Sequence, residues 1–104
     1  MGYYTKYDLI VLTGEDYLIE EFRGKNEHAK YAFDDGGRCE EGIKWYDHEK
    51  DMRKFSKAHP KVLFELFGRG EEFGDFWKKY FQNGKCQHCP AKITYDEFDK
   101  KKLE

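Results

Sequence analysis

Between Tyr3 and Leu12 the chain alternates, with Tyr3, Thr5, Tyr7, Leu9 and Val11 on one side and Tyr4, Lys6 and Asp8 on the other. Successive side chains of an extended backbone point to opposite faces, so this period of two predicts a strand with one buried face. Ile10 and Leu12 break the polar side, and the far end of the strand is expected to be covered on both faces. Thr13, Gly14 and Asp16 then supply turn and cap chemistry for a short helix that carries Leu18, Ile19 and Phe22 on one side, with Gly24 as its stop. Asn26 to Asp35 holds Ala29, Ala32 and Phe33 at a spacing that suits a helical turn, but it is too short for periodicity to decide. Asp34-Asp35-Gly36-Gly37 reads as a turn.

Further on, Glu41, Ile43 and Trp45 alternate with Glu40, Gly42 and Lys44, which predicts a second strand. Asp47 is placed to cap a helix whose Met52, Phe55, Ser56 and His59 follow i, i+3, i+4, i+7 spacing, and Pro60 ends it. Val62 to Phe67 is the most apolar run, interrupted only by Glu65, and belongs at the centre of a sheet. Gly68 to Gly74 forms a loop. Asp75 to Gln82 and Lys85 to about Cys89 flank Asn83-Gly84, the residues that a two-residue type I′ turn requires. Such a turn would set Phe81 opposite Cys86 and Lys79 opposite His88. Ile93 to Phe98 suits a last extended segment, Lys100 to Lys102 reads as frayed, and Leu103-Glu104 reads as a cloning scar. The order β-α-β-α-β-β-β implies one α+β domain over residues 1–104. Its expected form is a ferredoxin-like sandwich, a mostly antiparallel sheet of four to five strands with two helices packed on one face.

Composition changes the picture in two ways. An aromatic fraction of 18% in a chain that is 38% charged allows a core built from few bulky positions and argues against disorder, despite a mean hydropathy of -1.02. The net charge of -2 conceals an asymmetry: residues 1–51 carry 7 Lys/Arg against 13 Asp/Glu, and residues 52–104 carry 12 against 8. The odd number of cysteines, three, fits a reducing cytosol better than a disulfide framework. With no long apolar run and no basic-then-apolar leader, a cytoplasmic protein without a membrane partner is expected.

Several clusters offer chemistry, each beside a plainer use. Cys86, His88 and Cys89, with Cys39 as a fourth ligand, have the donor types of a zinc site. In a regular strand, however, Cys86 and His88 face one way and Cys89 the other, so no metal or other cofactor is expected. Cys86 with His88 has the residue types of a thiol nucleophile and base, without any hydrolase signature. Glu71, Glu72 and Asp75 in the glycine-rich loop would repel a phosphate; their oxygens suit Mg²⁺ or Ca²⁺, and the glycines suit an ordinary turn. His48, Asp51 and His59 on the predicted helix have no partner carboxylate fixed by the sequence and read as structural. Lys78, Lys79, Lys85 and Lys92 interleave with Phe76, Trp77, Tyr80 and Phe81, a mixture suited to stacked bases and phosphates, to a protected strand edge, or to a protein interface. A pI near 6.1 and the lack of an RNA-binding signature weigh against nucleic acid.

The run Lys44-Trp45-Tyr46-Asp47, with Ser56, Pro60, Phe64, the loop Gly68-x-Gly70-Glu71-Glu72-x-Gly74-Asp75, Trp77, Tyr80 and Asn83-Gly84-Lys85, resembles small uncharacterised phage and prophage proteins. It is similar more remotely to YubB-like ferredoxin-like domains. The resemblance covers about residues 3 to 98 and transfers no catalytic residue. It implies a non-enzymatic accessory protein that binds and inhibits a host antiviral-defence protein, a nuclease or signalling component, in the host cytoplasm. Tyr3, Tyr4, Trp77 and Tyr80 are then the expected anchors and Glu40 and Glu41 the charge partners. The alternative is a small-ligand module that sequesters a nucleotide signal, with Arg69, Lys78 and Lys79 on phosphates. A small metal-dependent enzyme is the third. A homodimer is compatible with the first two.

Overall fold

A computed structural model describes residues 2–104. The elements in chain order are β1 (Thr5–Thr13), α1 (Tyr17–Lys25), α2 (Glu27–Ala32), α3 (His48–Ala58), β2 (Leu63–Gly70), β3 (Phe76–Gln82), β4 (Lys85–Pro90) and a 3₁₀ turn at Lys100–Lys102. The architecture is α+β, with one antiparallel four-stranded sheet in the sequential order β1-β2-β3-β4 and the helices on one of its faces. The sandwich thus has the ferredoxin-like two layers. Its strands follow as a meander, with all three α-helices inserted between the two strands β1 and β2.

The odd positions of β1 face the helices, as the alternation predicts: Thr5, Tyr7 and Leu9 are buried. They meet Phe64 and Leu66 of β2, Phe81 of β3, and the inward sides of the helices, where Leu18, Ile19, Phe22, Ala29, Met52 and Phe55 complete the core. Phe33 and Trp45, on the connections, are its largest fully buried side chains with Phe64 and Phe81. The Trp45 indole N–H donates to Asp51 of α3 at 2.8 Å, and the same carboxylate oxygen accepts from the Asn26 amide at 3.0 Å. Asn26 in turn caps α2 by accepting the Ala29 N–H at 2.9 Å, so the one strong capping side chain of the helical layer is also tied to the core tryptophan.

The hairpin of β3 and β4 has the expected register, Phe81 opposite Cys86 and Lys79 opposite His88. Asn83 and Gly84 both have positive φ, 50° and 77°, as the two central residues of a type I′ turn must. Ser56, fully buried, accepts the Gly84 N–H at 2.9 Å while donating to the Arg53 carbonyl, which fastens this turn to α3.

Six expectations are corrected. The strand expected around Glu41 to Trp45 is a single bridge, Ile43 to Thr5, because the segment from Gly37 to Ile43 runs irregularly along the outer edge of β1. That edge is still partly satisfied: Leu9 N–H donates to Gly37 O at 2.8 Å, and Thr5 and Ile43 exchange both backbone bonds. Asn26 to Asp35, which periodicity left undecided, contains the helix α2; α1 runs past its expected stop at Gly24 to Lys25, and β2 continues to Gly70 where a loop from Gly68 was expected, because Gly68 and Gly70 still pair with Tyr7 and Thr5 of β1. Neither Asp16 nor Asp47 makes a side-chain cap bond, although both stand at the cap position. Ile10 and Leu12 are each 45% exposed, since they lie on the face of the sheet opposite the helices. Ile93 to Phe98 pairs with no strand, and its large apolar side chains lie in the exposed stretch that follows β4.

Candidate functional surfaces

Strand alternation sorts the candidate residues onto different sides of the molecule. Trp77, Lys79, Cys86 and His88 lie on the helix side of β3 and β4; Arg69, Lys78, Tyr80 and Cys89 lie on the open face. Trp77 and Tyr80 are therefore not parts of one patch, and Lys79 does not join Arg69 and Lys78 around a common phosphate.

On the helix side, β3 meets the start of α3 in a polar cluster. His48 Nδ1 donates to the Trp45 carbonyl at 2.8 Å, which leaves Nε2 of the neutral ring to accept from the Lys79 ammonium at 2.8 Å. Burial holds the His48 pKa below its ordinary value, and the Lys79 charge adds to that. Trp77 stacks on the His48 ring at 5.0 Å and 18°, and Lys79 lies over Trp77 at 4.8 Å. Glu49 faces Lys79 at 3.4 Å and accepts from the Cys86 thiol at 3.7 Å; its pKa lies below the usual range despite partial desolvation, through Lys79 and Arg53. Burial, with the neighbouring Glu49 charge, pushes the Cys86 thiol up, so it is protonated and poorly suited to nucleophilic attack. Its partner is Glu49, while His88 lies edge-on to Trp77 at 6.2 Å. The sequence brings His48 and Lys79 no nearer than 31 positions apart, and no local pattern announces their contact.

The four zinc-ligand candidates are dispersed. Cys86 packs against the core, His88 is exposed beside it, Cys89 is on the opposite face, and Cys39 sits at the edge of β1, where its N–H donates to Asp8 at 2.7 Å. Among the described residues no three His, Cys, Asp or Glu side chains converge as metal ligands. The loop carboxylates are likewise used locally: Asp75 accepts from the Tyr3 hydroxyl, and Glu71 accepts the Tyr4 N–H at 3.0 Å. Tyr3 also accepts the Glu72 N–H at 3.0 Å, and the Asp75 bond raises its phenol pKa. Tyr3 is thus a strut that holds the β2–β3 loop. His59, for which the sequence offered no carboxylate, meets Glu21 of α1 at 2.8 Å, and this contact depresses the Glu21 pKa.

Along the β1 edge and α2 the exterior is acidic and rich in tyrosine. Glu27, His28, Tyr31, Glu41 and Ile43 line a shallow depression of about 400 Å³, with Glu40 beside it. Tyr31 is 52% exposed, Tyr46 67% and Tyr4 46%, with Lys44 over the Tyr4 ring at 5.2 Å. Of the expected residues Glu40 and Glu41 belong here, whereas Tyr4 lines a separate depression with Lys6, Gly42, Arg69, Gly70 and Glu71; Tyr31 was missed because its helix was undecided.

The open face carries Lys6, Asp8 and Ile10 on β1, Glu65, Phe67 and Arg69 on β2, Phe76, Lys78 and Tyr80 on β3, and Lys85, Gln87 and Cys89 on β4. Arg69 pairs with Asp8 at 2.8 Å and lies over the Phe67 ring at 5.5 Å. Glu65 is only 8% exposed although no helix covers it; Lys78 stands 3.9 Å away, and the Glu65 carboxylate, cross-strand from Tyr80, raises that phenol's pKa.

No family model matches the chain, and no solved structure matches it. A stretch of 66 residues, 64% of the chain, is 33% identical to part of the stress response protein NST1 of the yeast Vanderwaltozyma polyspora. The chain spans 4% of that protein's length. No helix among the described residues is long and apolar enough to cross a membrane.

Proposed function

We propose that this chain is a non-enzymatic accessory protein of phage type that binds a host antiviral-defence protein and inhibits it. The observation that carries the reading is the acidic, tyrosine-rich edge formed by α2 and the Gly37–Ile43 segment. There Tyr31 stands exposed beside Glu27, Glu40 and Glu41, while Tyr4 lies under Lys44 and lines an adjoining depression with Lys6, Arg69 and Glu71. Tyrosine offers large contact area with few rotatable bonds, and a surrounding field of carboxylates speeds encounter with a basic face and rejects acidic competitors. A defence nuclease, whose nucleic-acid site is necessarily basic, presents such a face. The resemblance to phage proteins supports the same direction.

The test is plaque formation in host strains that each carry one defence system, with and without the chain expressed. Rescue of plaquing against one system, lost in Glu40→Lys/Glu41→Lys and in Tyr31→Ala at equal protein level, is the expected result. Unchanged plaquing across the panel, or rescue that survives charge reversal, would refute the proposal.

A further inference from the structure

We propose that the open face of the sheet binds single-stranded nucleic acid, independently of the acidic edge. Three rings stand together at its centre. The register pairs Phe67 with Lys78, so Phe67 is diagonal to both Phe76 and Tyr80, its neighbours on β3. Phe76 is 40% exposed and the other two are half-buried, which holds the rings in place while leaving them accessible. Bases stack on such rings with little regard to sequence, since every base has a π face.

The charge on this face is opposite to that of the whole. Its cations are Lys6, Arg69, Lys78 and Lys85, against two carboxylates, in a chain of net charge -2. Both carboxylates are already engaged: Asp8 accepts from Arg69 and from the Cys39 N–H, and Glu65 is buried beneath Tyr80 and Lys78. Lys6 and Lys85 remain for phosphates, and Lys78, half exposed and 3.9 Å from Glu65, stands between them and the rings. Two shallow depressions, about 510 and 230 Å³, adjoin along the shared wall of Phe67 and Lys78 and make a trough across the strands. An overall pI near 6.1, which weighs against nucleic acid in the sequence, averages over two surfaces that the fold separates.

The experiment is fluorescence anisotropy of end-labelled dodecamers of thymidine and of uridine with the full chain, as salt is raised. Saturable binding is expected, weakening on a log–log plot by a slope of about -0.7 per phosphate contacted. Lys78→Gln and Lys85→Gln should each flatten that slope, and Phe67→Leu and Tyr80→Leu should each weaken binding about tenfold. The lysine positions are exposed or rimmed by solvent, so the slope decides the matter even where Phe67→Leu lowers stability. Thymidine monophosphate at the same nucleotide concentration should fail to compete; full competition would assign the face to a single nucleotide. No binding at low salt would overturn the proposal. So would binding that ignores Phe67 and Lys78 but vanishes when Lys100, Lys101 and Lys102 become glutamine, or a dimer in sedimentation that excludes the oligomer. None of these outcomes touches the acidic edge, whose charge-reversal test stands apart.

Discussion

Gly68 is a position at which a single added methyl group should be costly. It stands on the helix side of β2 directly opposite Trp77, and a Cβ there would lie closer than 3.0 Å to three atoms of the indole. The ring lies over the bare glycine and from that seat stacks on His48, underlies the Lys79 ammonium and meets Tyr7 edge-on at 6.0 Å. Propensity works the other way, since replacing a strand glycine by alanine is ordinarily favourable by about 0.5–1 kcal/mol. Displacing the ring costs about 1–3 kcal/mol for overpacking. Losing the aromatic pairs adds about 0.5–1.5 kcal/mol, and the cation–π contact, whose Lys79 side chain is only 13% exposed, at least about 0.5–1 kcal/mol. The clash wins: Gly68→Ala is expected to destabilise by roughly 2–4 kcal/mol, a large part of the roughly 5–15 kcal/mol typical of a domain. At about 4–8 °C per kcal/mol for a chain near this size, the melting temperature should fall by roughly 10–25 °C. Urea unfolding followed by far-ultraviolet circular dichroism and by tryptophan emission gives both the loss and the change in Trp77's surroundings. In a Trp77→Leu background the added methyl has room, so the double variant should lose at least 1 kcal/mol less than the sum of the two singles. Stability within 0.5 kcal/mol of the parent with unaltered emission, or strict additivity of the pair, would refute the packing argument.

Three further expectations rest on other contacts. Asp51→Ala strips the buried Trp45 N–H and the Asn26 amide of their shared acceptor and should cost about 2–4 kcal/mol, while Asp51→Asn, which keeps one acceptor oxygen, should cost about half as much, both read from urea midpoints. His48 is held neutral, so in the window from about pH 6.5 down to its lowered folded value the unfolded chain takes up a proton that the folded chain does not; stability should therefore fall as pH drops through that window, and His48→Gln should remove that part of the slope. Tyr7 is raised by burial to about 12, so among the eight tyrosines it should be the last to ionise in an ultraviolet titration, and stability should decline from about pH 10 upward as the unfolded chain ionises first; Tyr7→Phe should abolish the late step and flatten the decline.

The hairpin from Phe76 to Pro90 was legible in full, register included, because Asn83-Gly84 admits essentially one two-residue turn and everything else follows by counting. The helix at His48–Ala58 was legible from its apolar spacing, and β1 from its alternation. Its neighbour at Glu41–Trp45 was not, since alternation over five residues is met equally by a strand and by an irregular edge segment with a single bridge. The candidate site was legible only as residue types. Glu40 and Glu41 lie on the α2 edge, but Tyr4 lines a depression with Lys6 and Arg69, Tyr3 is drawn into the loop by Asp75, and Trp77 and Tyr80, three positions apart on one strand, must face opposite ways.

What the sequence by itself determined, then, is every feature set within a few residues: alternation, helical spacing, the turn that glycine and asparagine permit, and the engagement of bulky rings in a core. What only the tertiary structure decided is which distant side chains meet and which face they share. His48 with Lys79, Trp45 with Asp51 and Asn26, and the separation of an acidic edge from a basic open face depend on how the helices, inserted between β1 and β2, cover one side of the sheet and leave the other bare. Local backbone preferences are short-ranged, whereas charge and contact depend on distances in space, and those exist only once the chain has closed on itself.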